Sequence, residues 1–272
     1  MSRPIAPLLA CALLAGGALR AESSEYPMAI NLPTTERMQY WDLGLVFTHR
    51  FIAPVQEHGK DVYGLDGFTY AGLGFDFGFK PIKGLNILIY RTADNKTFTF
   101  GFQQLVLDND HIRIALKAER FDEVVTFAKK PLLLADNTTT IPAWVGISGG
   151  TFQIPMDVYL TDDIVLALVP TYLSRTTTQE KGIFTVGAGL RIAFTDKFSF
   201  VGEYYPRPAK VEKTLEKGFA AGMSYKTFKH RFSFFGTNST GTTTHQVLGG
   251  DYGGGPRTPG KWSIGFNVAR VF

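Results

Sequence analysis

A set of charged residues carries the chemistry open to this chain. Arg50, Arg113, Lys117, Arg191, Arg207 and Arg231 stand against Asp42, Asp76, Glu119, Asp157 and Glu203, on the polar side of runs whose other side is large and apolar. Guanidinium forks and carboxylates gathered around one enclosed space can do two things. They can pair with one another and fill the space, or they can select small polar or ionic solutes that pass through it. Arg50, Arg113, Arg191 and Glu203 are the leading candidates for contact with such a solute.

Other chemistries lack their residues. The five histidines, His49, His58, His111, His230 and His245, form no close pair. No His-Glu-x-x-His or Cys-x-x-Cys spacing occurs, so no metal site and no cofactor are expected. His230 and Ser233 are close in sequence but opposite in parity, and no Gly-x-Ser-x-Gly elbow is present. An enzyme is therefore not expected. The glycines of Gly236 to Gly260 have neither the lysine-serine pair nor the helix of a phosphate cradle. That stretch reads as a long external loop, with folding into the lumen as a constriction the alternative. Two of the +4 net charges, Arg3 and Arg20, lie in the leader described below, and what remains is too small to suggest nucleic acid.

The elements that must position these charges are strands. Trp41, Leu43, Leu45, Phe47 and Phe51 alternate with Asp42, Gly44, Thr48 and Arg50. Ala71 to Phe79, Phe98 to Val106, Ile112 to Ala118, Phe152 to Leu160 and Phe184 to Phe194 alternate in the same way. The last run places Trp262, Ile264, Phe266, Val268 and Phe272 on one face and Lys261, Ser263, Gly265, Asn267 and Ala269 on the other. Less regular runs lie near 84–91, 164–174, 198–207, 217–227 and 230–237. Together they make about twelve strands.

The junctions alternate too. Short turns at 81–84, 108–110, 161–163, 195–197 and 227–229 are interleaved with longer connections at 52–65, 121–150, 174–182, 208–217 and 238–260, with 92–96 the one short exception. A membrane barrel has tight turns at its periplasmic end and long loops outside, whereas a soluble sandwich has no reason to sort its loops by parity. A lipocalin-like barrel or secreted sandwich, the soluble alternative, would bury the apolar faces, and these exceed what one core can use. Aromatics at 14% and a mean hydropathy of +0.01 fit walls that meet lipid on one side and water on the other. The expected fold is all-β: a closed, up-and-down, antiparallel transmembrane β-barrel over 38–272, with both termini in the periplasm.

Residues 1–21 read as a signal peptide, with a basic start, an apolar run from Ile5 to Leu19 and cleavage after Ala18 or Ala21. Leu8 to Cys11 also matches a lipoprotein box, so lipidation at Cys11 stays open. Residues 22–37 are assigned as a periplasmic N-terminal segment, either a tail or a plug. The chain ending at Phe272 looks like the terminal strand that the barrel-assembly machinery reads. Arg270 departs from that pattern, and its long side chain suits a position near the interface. The expected surroundings are outer-membrane lipid and that machinery; no oligomeric state is implied.

The segment Trp41 to Phe51, with His49-Arg50-Phe51 near its end, is followed by Tyr63-Gly-Leu-Asp-Gly67 and Leu73 to Gly78. With Ile154 to Leu160, Pro170 to Tyr172 and Glu203 to Pro206, these residues resemble a bacterial family of outer-membrane β-barrels, domain-of-unknown-function family 5777. The resemblance implies an outer-membrane β-barrel and brings no activity or site. The residues themselves point to a narrow pore or transporter for a small polar or ionic solute. The alternative is a non-conducting structural or docking barrel; a lipid-modifying enzyme is the remaining option.

Overall fold

The computed structural model describes residues 28–57, 62–66, 68–79, 81–126, 132–133, 140–141, 144–175, 182–206, 217–249 and 260–272. Alternating residues make strands because each pleat sends one side chain in and the next out. The strands are β1 (Leu43–Phe51), β2 (Thr69–Gly78), β3 (Leu85–Thr92), β4 (Phe98–Asp108), β5 (Ile112–Thr126) and β6 (Trp144–Gln153, resumed as Met156–Tyr159). They continue as β7 (Ile164–Leu173), β8 (Ile183–Ala193), β9 (Phe198–Tyr205), β10 (Gly218–Lys226), β11 (His230–Thr237) and β12 (Ser263–Val271).

Each pairs antiparallel with the next, and β12 closes on β1 from Gly44–Val271 to Arg50–Gly265. The ring is a closed, twelve-stranded, antiparallel β-barrel. Both halves of β6 pair with β5 and β7. The break at Ile154-Pro155 follows from the proline, which has no N–H for the ladder. Its carbonyl still accepts from Ala115, and the Ile154 N–H donates to Pro170, so the ring stays sealed there. A two-stranded hairpin, Leu132–Leu133 with Thr140–Ile141, forms a separate sheet in the β5–β6 connection.

Turn chemistry fixes the register at one end. Asn109 Oδ1 accepts from the N–H groups of His111 and Ile112 at 3.0 and 2.9 Å. The hydroxyls of Thr161 and Thr195 accept in the same way from the residues two and three further on. Gly84 takes φ +79°, a value that favours glycine. The opposite end carries the longer connections, with Thr92–Thr97 short as expected.

The outward parity is apolar: Phe47, Phe75, Phe100, Phe152, Phe184 and Phe234 all stand exposed on the wall. Among the described residues no helix is long and apolar enough to cross a membrane; a barrel crosses with strands. Arg270 lies outward near the turn end, with its guanidinium 4.7 Å from the Phe272 ring centre.

Two boundaries differ from expectation. The ring, expected from 38, begins with β1 at Leu43. The connection expected over 121–150 is shorter, because β5 runs on to Thr126 and β6 starts at Trp144. Inward Phe121 and Glu123 are covered from inside the ring, which makes the longer strand worthwhile. Residues 28–37, read from the sequence as either a tail or a plug, lie inside the ring as a plug, with Ile30, Asn31, Leu32 and Thr35 each 3% exposed or less.

A doubly stoppered lumen as the candidate functional site

Inward residues of the strands build the site. Arg50, Asp76, Arg113, Lys117, Glu119, Asp157, Arg191, Glu203 and Arg231 all take the inward parity; Arg207 lies outside the described residues. The plug forms no regular element, so its backbone polar groups must find partners elsewhere. The charged wall supplies them. Glu203 accepts from the backbone N–H groups of Ile30 (2.7 Å), Asn31 (3.0 Å) and Leu32 (3.0 Å), and from the Tyr205 hydroxyl. One carboxylate thus satisfies three successive donors from a segment more than 170 residues away.

Asp157 accepts from the N–H and hydroxyl of Thr35 at 2.8 and 2.6 Å. Gln103 donates to the carbonyls of Thr34 and Glu36, and Asn267 donates to that of Ile30. Arg231 pairs with Glu36 at 2.9 Å. Arg50, fully buried, donates to Asn31 Oδ1 at 2.9 Å and Asn267 Oδ1 at 2.8 Å, and lies over the Phe235 ring. Gly265 leaves the room this needs, since a Cβ there would come within 3.0 Å of Arg50 Cδ.

Other charges pair along the wall. Lys117 meets Glu119 at 3.0 Å, and Glu119 also accepts from Thr151 and Gln153. Asp76 accepts from Asn86 at 2.6 Å. Arg113 meets Asp108 at 2.7 Å and faces the Tyr159 ring. These pairs join neighbours on the wall, Lys117 with Glu119 and Arg113 with Asp108. The key carboxylates, Asp157 and Glu203, hold plug backbone instead, because a buried main-chain N–H is costly to leave unpaired.

A second stopper enters from the loop end. Residues 238–249, expected by default as a mobile surface loop, fold into the lumen and end in α1 (Thr244–Gly249). Thr242 to Leu248 are all buried. His245 stacks on Phe121 with centroids 3.8 Å apart, and its Nε2 lies 3.5 Å from Glu123. Gln246 donates to Thr97, and Thr242 donates to Thr92. Tyr252, in the same connection, lies outside the described residues.

The two stoppers share one apolar cluster, in which Leu32 of the plug and Val247 and Leu248 of α1 join Val169, Leu173, Ile183 and Tyr205. Inward Gly187 makes space for Leu32, whose Cδ2 would lie 2.5 Å from an added Cβ. Two of the cavities among the described residues border the stoppers. One of about 50 Å³ lies between the stoppers, beside Asp76, Lys117 and Glu119. The other, about 90 Å³, lies between the plug and the β7–β10 wall towards the turn end.

His49 points outward, stacked on Phe266 at 4.8 Å, and His230 lies beside Phe232 on the same outer surface. Ser233 is turned inward to Ser224, on the face opposite His230. No cluster of potential metal ligands occurs among the described residues. Sequence reasoning missed Asn31, Gln103, Asn267 and His245. Gln103 and Asn267 already sat on polar faces, and only their lack of charge hid them.

A closed ring with an aromatic outside and a hydrogen-bonding inside is a membrane β-barrel. The chain belongs to the DUF5777 family, described as a membrane bound beta barrel domain, whose model matches residues 26–272. No curated protein matches it in sequence. Among solved structures it is similar to the KdgM porin, with 10% identity over 85% of this chain and 99% of that one and a TM-score of 0.49. The NanC porin follows at 7% identity, covering 84% and 98% of the two chains, with a TM-score of 0.48. The outer membrane protein Omp33 of Acinetobacter baumannii gives 10% identity, 85% and 98% coverage, and a TM-score of 0.45.

Proposed function

We propose that the protein is a gated pore of the outer membrane for small polar or ionic solutes, closed in the state described by its plug and its inward loop. The observation that carries this reading is how the plug is held. Wall carboxylates, amides and an arginine bind it by hydrogen bonds, and those groups would line a hydrated passage if it withdrew. A sealed plug of pure apolar packing would offer no such surface. Export through a cleaved signal peptide and recognition of the strand ending at Phe272 by the barrel-assembly machinery belong to the same proposal, as does the absence of enzymatic activity.

A second reading is favoured by the completeness of the closure: a barrel that never conducts and serves as a structural or docking element. One experiment separates the two. Single-channel currents are recorded in planar bilayers for the intact chain and for a deletion of residues 28–37. A gated pore gives small or intermittent currents when intact and larger, steady ones without the plug. A folded deletion barrel that carries no current would sink the pore reading.

A further inference from the structure

The cavity between the plug and the β7–β10 wall has two unlike sides. Its floor is Leu32, Val165, Ala167 and Val201, all apolar, and its rim carries Arg191 and Lys226. Of the acidic groups lining it, Asp157 is occupied by Thr35 and Glu36 by Arg231, while Asp196 lies in the β8–β9 turn beside Lys197. Arg191 has no hydrogen bond or ion pair among the described residues, and meets Asp157 and Tyr159 only through space. A guanidinium at a cavity wall with its donors unspent is suited to a planar two-oxygen acceptor. The apolar floor below it suits a short hydrocarbon body. The cavity's volume of about 90 Å³ admits several heavy atoms.

We propose that this vestibule binds a short-chain aliphatic carboxylate, its head on Arg191 and its chain on Leu32, Val165 and Val201. The site names a solute class for the passage proposed above. It rests on that reading for what the binding serves, not for whether binding occurs. Lys226 adds positive charge at the rim, while the plug supplies one wall, so occupancy and plug position are coupled.

The test is calorimetric titration of the full chain in lipid nanodiscs with butyrate, n-butylammonium and inorganic phosphate. Butyrate is expected to saturate a single site. Arg191→Gln is expected to weaken it at least tenfold, with part of the affinity restored in Arg191→Lys. Val201→Phe, which fills the floor without touching a charge, is expected to abolish binding, and Arg120→Gln on the outer wall to leave it unchanged. Each variant is first checked for the heat-modifiable gel migration of a folded barrel, and Val201→Phe serves if Arg191→Gln does not fold. Butyrate affinity unmoved by both variants, or no saturable butyrate binding, overturns the proposal. Equal affinity for butylammonium overturns the charge assignment, and equal affinity for phosphate overturns the apolar floor. Binding without bilayer current refutes the pore alone; current without butyrate binding refutes this site alone.

Discussion

Replacing Glu203 by glutamine tests the plug's attachment at its strongest point. The wild-type carboxylate accepts three backbone N–H groups, at 2.7, 3.0 and 3.0 Å, together with the Tyr205 hydroxyl. Glutamine keeps the volume but loses the charge, and one of its two ends becomes a donor facing other donors. A hydrogen bond to a charged group contributes roughly 1.5–3 kcal/mol. Losing the charge from the set while one acceptor survives therefore destabilises the docked plug by about 2–4 kcal/mol. At about 1.4 kcal/mol per factor of ten, the undocked population rises some thirtyfold to several hundredfold. Amide hydrogen exchange of Ile30, Asn31 and Leu32 reads this directly, since these three donors are released together. Protection in β2 and β4, whose ladders do not involve Glu203, should stay unchanged. Equal protection of residues 30–32 in wild type and Glu203→Gln would refute the reasoning.

Three other perturbations follow from the same packing. Gly187→Val places side-chain atoms where Leu32 now sits, so it should loosen the plug, shown by faster exchange at Leu32 and more open time in bilayers. His245→Ala removes the stack on Phe121 and leaves Glu123 buried beside it; the amide of Val247, bonded at 3.0 Å to Thr243, should lose protection while the ring strands keep theirs. Phe234→Arg puts a charge on the lipid-facing wall, where Phe234 is 60% exposed, and should lower unfolding stability by about 2–4 kcal/mol if that site is near the bilayer midplane. Chemical denaturation in vesicles measures it, and Ser233→Ala, on the inward face, should cost much less.

The ring was legible because a strand declares itself at a period of two, residue by residue. Phe98, Phe100 and Phe102 could only face away from Thr99, Gly101 and Gln103, and the structure keeps that division. The charged inward residues were legible for the same reason. What they do was not. Glu203 and Asp157 spend their acceptors on residues 30–35, and no periodicity links positions separated by 122 to 173 residues. The plug has no pattern of its own because its hydrogen bonds go to side chains rather than to a ladder. α1 is only six residues long, too short to show a helical face, and it is held by packing on Phe121 and by Thr97. The break in β6 was signalled by Pro155, although the continuity of pairing on both sides of it was not.

Leu32 and Val247–Leu248 reach the same apolar cluster from opposite ends of the barrel. Withdrawing either segment leaves the other with part of its apolar surface bared, so each is a ligand for the other. Whatever factor separates the loop's affinity for a plugged and an unplugged lumen must, by linkage, equally separate the plug's affinity for a looped and an unlooped one. An event that pulls on the N-terminal segment is thereby felt at the opposite face, and an event that captures the loop is felt at the plug. The shared cluster would thus couple the two faces of the barrel through its interior.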